Sequence, residues 1–309
     1  MDHCKPVVVL QRCSQYNRIK IVEIIDAVIT SLGVTPCFYN KKVLLKPNLI
    51  SGKGPEFSCT HRTFVAAVAL WFHEQGAQVA IGDSPAFGSS STVCRQMGIA
   101  EEIADLDVQL VDFSSSVQKI VSGNIRVNIA APVIECDWLI NLPKIKAHNQ
   151  LYVTLAVKNI FGIVKGANKA ILHMLHGSTH DGFAEIILDL LNFLPPSIHC
   201  IDGITVMHRS GPLDGEALPL HCIGGSLNPV ALDTALLELL ELEKKKSPLW
   251  RVAAERGLEG IQSDKLTFPL LSPVDFRGSG FQAPATLNGI RFNPFRFFLG
   301  MGKRLMGKH

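Results

Sequence analysis

Residues 42–85 read KVLLKPNLISGKGPEFSCTHRTFVAAVALWFHEQGAQVAIGDSP. A short apolar run at 42–46 is followed by a helix-length stretch in which Phe64, Val68, Trp71 and Phe72 fall on one face, and a second short run occupies 78–82. Thr60 stands where an N-cap is expected and Gly76 where a helix stops. Apolar strands alternating with amphipathic helices are the pattern of an α/β protein whose strands are covered by helices.

The same alternation extends in both directions. Further strands are expected at 6–11, 108–113, 138–142, 198–201 and 220–224, and further helices at 19–32, 153–161, 183–194 and 229–242. The last is opened by Asn228 as cap and Pro229 in the first helical position. The expected fold is α/β: a mostly parallel or mixed sheet with helices on both faces. Residues 1–276 form this domain, as one unit or two lobes, and 277–309 form a basic, phenylalanine-rich tail.

The 309 residues are 47% apolar and 18% charged, which excludes a disordered or fibrous chain. No apolar run approaches the roughly 18 residues of a membrane span, and the opening MDHCKPVVVLQRCS lacks the apolar region of a secretory signal. A cytoplasmic address is therefore expected. Eight cysteines, at 4, 13, 37, 59, 94, 136, 200 and 222, form no CxxC pair, so reduced thiols are expected and an iron-sulfur cluster within the chain is not.

The net charge of +3 is unevenly spread. Arg291, Arg296, Lys303, Arg304 and Lys308 crowd the tail, and no acid or arginine lies between Asp137 and Asp181. That second region holds Lys144, Lys146, Lys158, Lys165 and Lys169 with His148, His173, His176 and His180. Its lysines lack interleaved aromatics, which argues against nucleic acid. The tail either packs its phenylalanines on the body, the preferred reading, or contacts a membrane surface or partner.

Polar motifs follow the strands. Lys46-Pro47-Asn48, Gly82-Asp83-Ser84-Pro85, the run NLPKIKAH from Asn141 to His148, and Asp202-Gly203 all stand at expected strand C-terminal ends. In open α/β sheets that edge is where ligands bind. Lys144, Lys146 and His148 alternate and project together from an extended segment after Pro143. With no acid beside them in sequence, they favour an anion over a merely solvated edge strand. Thr154, Lys158 and Gly162 recur at helical spacing, and Asn159, Lys165 and Lys169 add donors. These lysines either neutralise a carboxylate or phosphate, or one serves as nucleophile or base once desolvation lowers its pKa.

His61 and Arg62 place positive charge at a helix N-terminus, a conflict that a bound anion would relieve. His173, His176 and His180 have a spacing compatible with a divalent metal such as nickel or zinc, although Gly177 interrupts the helix this needs. Ser89 to Thr92 can cap a helix after Asp83 and Ser84, and DGITVMHRSGPLDG from Asp202 reads as an ordered loop holding the acid–base candidates Asp202, His208 and Asp214. GxSxG, GxxxxGK[ST], HExxH and a strand-following GxGxxG are absent, which removes serine hydrolases, P-loop NTPases and ordinary Rossmann dehydrogenases.

The ordered set of KPN, Thr60-His61, GDSP, NLPKIKAH, KNIFG at 158–162, Lys165-Gly166, Asp202-Gly203, Gly211-Pro212 and NPVALD at 228–233 resembles the family known as domain of unknown function 362, over about 42–240. Many members carry a ferredoxin-like iron-sulfur domain on the C-terminal side, whose cysteine pattern this chain lacks. It also departs near His208, where relatives tend to have an acid. The His61-Arg62 pair is more distantly similar to the N-terminal part of nickel-dependent lactate racemase. That resemblance implies a lysine and histidines around a nickel cofactor.

The expectation is an enzyme binding a small anionic substrate or cofactor for acid–base or metal-assisted chemistry. His61, Asp83, His148 and Lys158 are the catalytic candidates. Lys46, Asn48, Arg62, Ser84, Asn141, Lys144, Lys146, Thr154, Asn159, Lys165, Lys169 and Asp202 are the binding candidates. The alternative is a non-catalytic adaptor or redox partner docking an acidic protein such as a ferredoxin.

Overall fold

The computed structural model describes residues 5–33, 37–165 and 179–289. Its sheet runs in the order β1 (Val8–Arg12), β11 (Glu216–Ser226), β10 (Ser197–His208), β7 (Trp138–Leu142), β2 (Lys42–Pro47), β3 (Gln78–Ile81), β4 (Val108–Leu110). Strands β7, β2, β3, β4 and the start of β10 are parallel, and β1 and β11 are antiparallel to their neighbours. The sheet is mixed, as expected.

Alternation along each strand divides the core. Val43, Leu45, Ile140 and Leu142 face α1 (Arg18–Ser31) and α2 (Arg62–Glu74). Leu44 and Leu139 face the other way, toward α7 (His180–Asp189) and α9 (Pro248–Glu255), while Val8 and Leu10 meet α8 (Pro229–Leu239). Helices thus cover both faces, which is why the strands read as continuous apolar runs. Asn228 caps α8 through its side chain, with Pro229 at the first position, and Ser89 caps α3 (Ser90–Gln96).

Several local expectations give way. The cap of α2 is the His61 side chain, accepting from Thr63 N, rather than Thr60. The Thr60 hydroxyl instead accepts from Asn48 N at 2.8 Å and donates to Leu142 O at 2.7 Å, tying the ends of β2 and β7 to the segment before α2. The stretch from Asp202 is no loop: β10 continues to His208 and turns into β11. A hairpin of β5 (Ser116–Val121) and β6 (Ile125–Ala130) precedes α5 (Ala131–Glu135).

Pro143 ends β7, and the chain resumes as β8 (Lys144–His148), which runs parallel to the distal part of β10 and pairs with β9 (Tyr152–Thr154). Gly203 lies at a bulge where β10 passes from β7 to β8, and a Cβ there would press on Cys222 O and Ile145. The expected helix at 153–161 begins only at α6 (Ala156–Ile160). Thr154 therefore sits on a strand and Gly162 in the turn after α6, not on one helical face with Lys158. Asp233 from α8 sets that start by accepting from Ala156 N at 2.7 Å and Val157 N at 3.2 Å. From the tail, Phe281 is buried against the body, whereas Phe292, Phe295, Phe297 and Phe298 lie outside the described residues.

Burial raises the Asp233 pKa to about 8, so above about pH 4 the folded chain keeps a proton that the unfolded chain releases. That stability contribution is complete below the unfolded pKa and is lost as pH rises through 8. Urea titrations should show Asp233→Asn flattening this slope. Asp233→Ala, which strands two buried N–H groups, should cost about 1–3 kcal/mol.

Candidate functional site

The ends of β2, β3 and β7 meet at one edge, and an amide ladder joins them. Asn48 Nδ2 donates to Asn159 Oδ1 at 2.7 Å, and Asn159 Nδ2 donates to Asn141 Oδ1 at 2.8 Å. Asn141 Nδ2 reaches Ala156 O and His199 Nδ1. Burial holds the His199 imidazole down to about 3, so it is neutral and accepts.

Two buried ion pairs flank this ladder. Lys46 Nζ lies 2.8 Å from Asp83 Oδ1, and Asp83 Oδ2 accepts from Leu49 N at 2.9 Å. Gly162 lies against the pair so closely that a Cβ would overlap both Lys46 Nζ and Asp83 Oδ1. Lys144 Nζ lies 2.8 Å from Asp202 Oδ2 and donates to the Tyr16 hydroxyl, also at 2.8 Å. Tyr16 in turn donates to Asp202 Oδ1 at 2.9 Å, and His61 N donates to Asp202 Oδ2 at 2.9 Å. The rings of Tyr16 and His61 stack with centroids 3.5 Å apart. The acid-free neighbourhood read in the sequence is thus corrected in space: Asp83 and Asp202 come from β3 and β10 to meet lysines of β2 and β8.

Lys146 and Lys158 differ. Lys146 is 1% exposed, donates to Ser58 O at 2.6 Å, and has no carboxylate partner among the described residues. Burial and the positive charges of Lys158 and Lys144 bring its pKa down to about 7. Lys158, half-buried on α6 with its Nζ 5.3 Å from the Phe161 ring centre, is brought down to about 8 by burial and by Lys46. It too lacks a paired carboxylate among the described residues. Thr154 is buried opposite Lys146 in the β8–β9 register, and Ser84 is buried beside Asp83 in the chain.

At the start of α2 protein carboxylates face the positive charge of His61 and Arg62. Arg62 Nε lies 3.8 Å from Glu56 and 3.6 Å from Glu102, and His61 Nε2 lies 3.1 Å from Glu56. With Nδ1 capping the helix, the buried His61 is held below the usual histidine range, chiefly by desolvation. His148 Nδ1 accepts from Gln150 N and Leu151 N, which shapes the β8–β9 turn. Lys165 donates to Ser114 O. Lys169, His173 and His176 lie outside the described residues, and His180 Nε2 is 3.0 Å from Asn288 O. Among the described residues no group of three His, Cys, Asp or Glu side chains is placed to hold a metal. Asp214 borders a separate cavity with His148 and Pro212.

Tyr16, Ser58 and Asp233 escaped the sequence reading. Only Asp233 had a local signal, as the last residue of NPVALD. A cavity of about 710 Å³ lies elsewhere, beside Lys42, Leu44, Gln78, Ala80 and Glu135 toward the beginnings of β2 and β3.

A mixed α/β sheet with a buried lysine centre at its strand ends defines the class. Within it the chain belongs to the family described as Domain of unknown function (DUF362), whose profile matches residues 43–238. It is 33% identical over 253 residues to a thylakoid-associated protein from Synechocystis sp., an alignment covering 81% of this chain and 78% of that protein. The lactate racemase apoprotein from Thermoanaerobacterium thermosaccharolyticum is similar at TM-score 0.48 and 12% identity, covering 72% of this chain. A Thermotoga maritima protein reaches 0.46 and 11%, covering 71%. This chain spans 54% and 57% of the lengths of those two.

Gly162→Ala should push apart the Lys46–Asp83 pair and cost about 1–3 kcal/mol in chemical denaturation. Lys146→Met, which removes a buried cation with no carboxylate partner, should leave the fold equally stable or raise its stability at pH 6 by roughly 1–3 kcal/mol.

Proposed function

We propose that this chain is an enzyme that binds a small anion, a carboxylate or phosphate compound, at the strand-end lysine centre and performs acid–base chemistry on it. The observation that carries this reading is the imbalance of the centre. Four lysines converge there, Asp83 and Asp202 pair with two of them, and Lys146 and Lys158 keep no carboxylate partner among the described residues. Keeping uncompensated ammonium groups in a buried site costs stability, and an anion between them recovers it.

In this reading Lys46 and Lys144 organise the site through their ion pairs, while Lys146 and Lys158 receive the anion. Asn48 contributes a buried Oδ1 that has no hydrogen-bond partner among the described residues and can accept from a hydroxyl of the bound compound, not from its anionic group. His61 and Asp83 border the centre as proton carriers. A group with a pKa near 7 or 8 exchanges protons readily at neutral pH, which suits Lys146 and Lys158 to the same work.

The burial of Lys46, Lys144 and Lys146 favours a ligand-binding centre over a cationic docking face for an acidic redox protein, since such faces present their charges to solvent. No helix among the described residues is long and apolar enough to cross a membrane. The cytoplasmic address remains part of the proposal.

Sulfate, which stays doubly charged across the range used, tests the reading by calorimetry. An anion favours the charged lysines and raises their pKa values, so binding takes up protons above about pH 7. Affinity should be highest near pH 6.5 and fall at least about tenfold by pH 9. It should be lost in Lys146→Met and Lys158→Met with the fold intact. Absence of sulfate binding, or binding indifferent to both substitutions, would overturn the assignment.

A further inference from the structure

We propose that Lys158 is a carbonyl-reactive amine and that the natural ligand is an anionic aldehyde or ketone of the keto-acid class, held by its carboxylate at Lys146 and condensed at its carbonyl carbon with Lys158 Nζ. The inference rests on the anion-binding reading above and names its substrate class.

The geometry separates the two uncompensated lysines. Lys146 is enclosed and engaged with the Ser58 carbonyl, which leaves its nitrogen placed to donate to a carboxylate rather than to attack a carbonyl carbon. Lys158 stands on α6 beside the Lys46–Asp83 pair, partly open to solvent, and the hydrogen bonds among the described residues give its Nζ no oxygen partner. The charged groups that act on it are Lys46 from β2 and Asp83 after β3, while Phe161 supplies an apolar wall. A lysine that is desolvated and crowded by a second cation loses its proton readily and becomes a nucleophile. Its pKa of about 8 leaves a substantial free-amine fraction at neutral pH.

The chemistry balances without an oxidant or reductant. The Lys158 nitrogen lone pair forms a C–N bond to the carbonyl carbon, and the oxygen takes up the proton released from nitrogen. The C–O bond then breaks, the hydroxyl leaves as water with a proton, and an imine remains. Solvent reaching the half-buried Lys158 carries these protons, and Asp83 stays paired with Lys46. An imine beside a bound carboxylate acidifies the carbon between or next to them, which is the use such a centre would make of the adduct.

The full chain is incubated at pH 7.4 with cyanoborohydride and either limiting formaldehyde or pyruvate, and adducts are mapped by peptide mass spectrometry. With formaldehyde, Lys158 should be modified at least about tenfold faster than the exposed Lys41 and Lys245, because desolvation and the neighbouring Lys46 favour its free-amine form. With pyruvate the preference should widen, and added sulfate should compete. Lys158→Arg should remove this adduct. Formaldehyde labelling of Lys158 no faster than that of Lys41 would overturn the reactive amine. A fast formaldehyde reaction with no preference for pyruvate would overturn the keto-acid assignment. Either failure alongside pH-dependent sulfate binding would leave the anion-binding reading standing, and loss of sulfate binding would remove both.

Discussion

Burying an ammonium group is tolerable only with compensation, and this constraint organises the strand-end edge of the molecule. Lys46 and Lys144 are both fully buried, and each has a carboxylate 2.8 Å away. Those carboxylates are themselves held, Asp83 by Leu49 N and Asp202 by Tyr16 and the His61 backbone. Removing either partner would strand a charge in the interior at a cost of several kcal/mol. The two pairs are therefore fixed points, and the end of β2, the turn after β3, the start of β8 and the middle of β10 must meet to form them.

What the fixed points surround is less settled in energy. Lys146 donates to a backbone carbonyl and Lys158 lies over an aromatic ring, and neither has a carboxylate partner among the described residues. A sequence optimised for stability alone would place apolar side chains at these positions. The cost of keeping amines there is what the proposed function rests on, and it is independent of family membership. The family and its thylakoid-associated relative describe kinship, whereas the proposed chemistry rests on these side chains.

Much of the fold was legible because its signals are local. Alternating burial along 42–46 and 138–142, the amphipathic face from Phe64 to Phe72, and the Asn228-Pro229 start each act over a few residues. The β5–β6 hairpin was also signalled, by Gly123 and Asn124 at its turn, both with positive φ, yet β5 is largely exposed and β6 alternates apolar with polar residues, so neither shows the continuous apolar run used to find the others. The apolar residues around Thr154 fit a helix or a strand equally well, and pairing with β8 together with the Asp233 cap decided between them. His61 displaced Thr60 as cap because the threonine hydroxyl was needed to join Asn48 to Leu142.

By itself the sequence determined the α/β class, the places of the main strands along the chain and the polar motifs among them, since periodicity and turn chemistry are properties of neighbouring residues. Only the tertiary structure decided which charges are paired. Asp83 and Asp202 are distant in sequence from Lys46 and Lys144, and Tyr16 reaches its partners across more than a hundred residues. Electrostatic compensation acts through space, so the distinction between the lysines paired with a carboxylate and the two without such a partner among the described residues exists only once the strands are assembled.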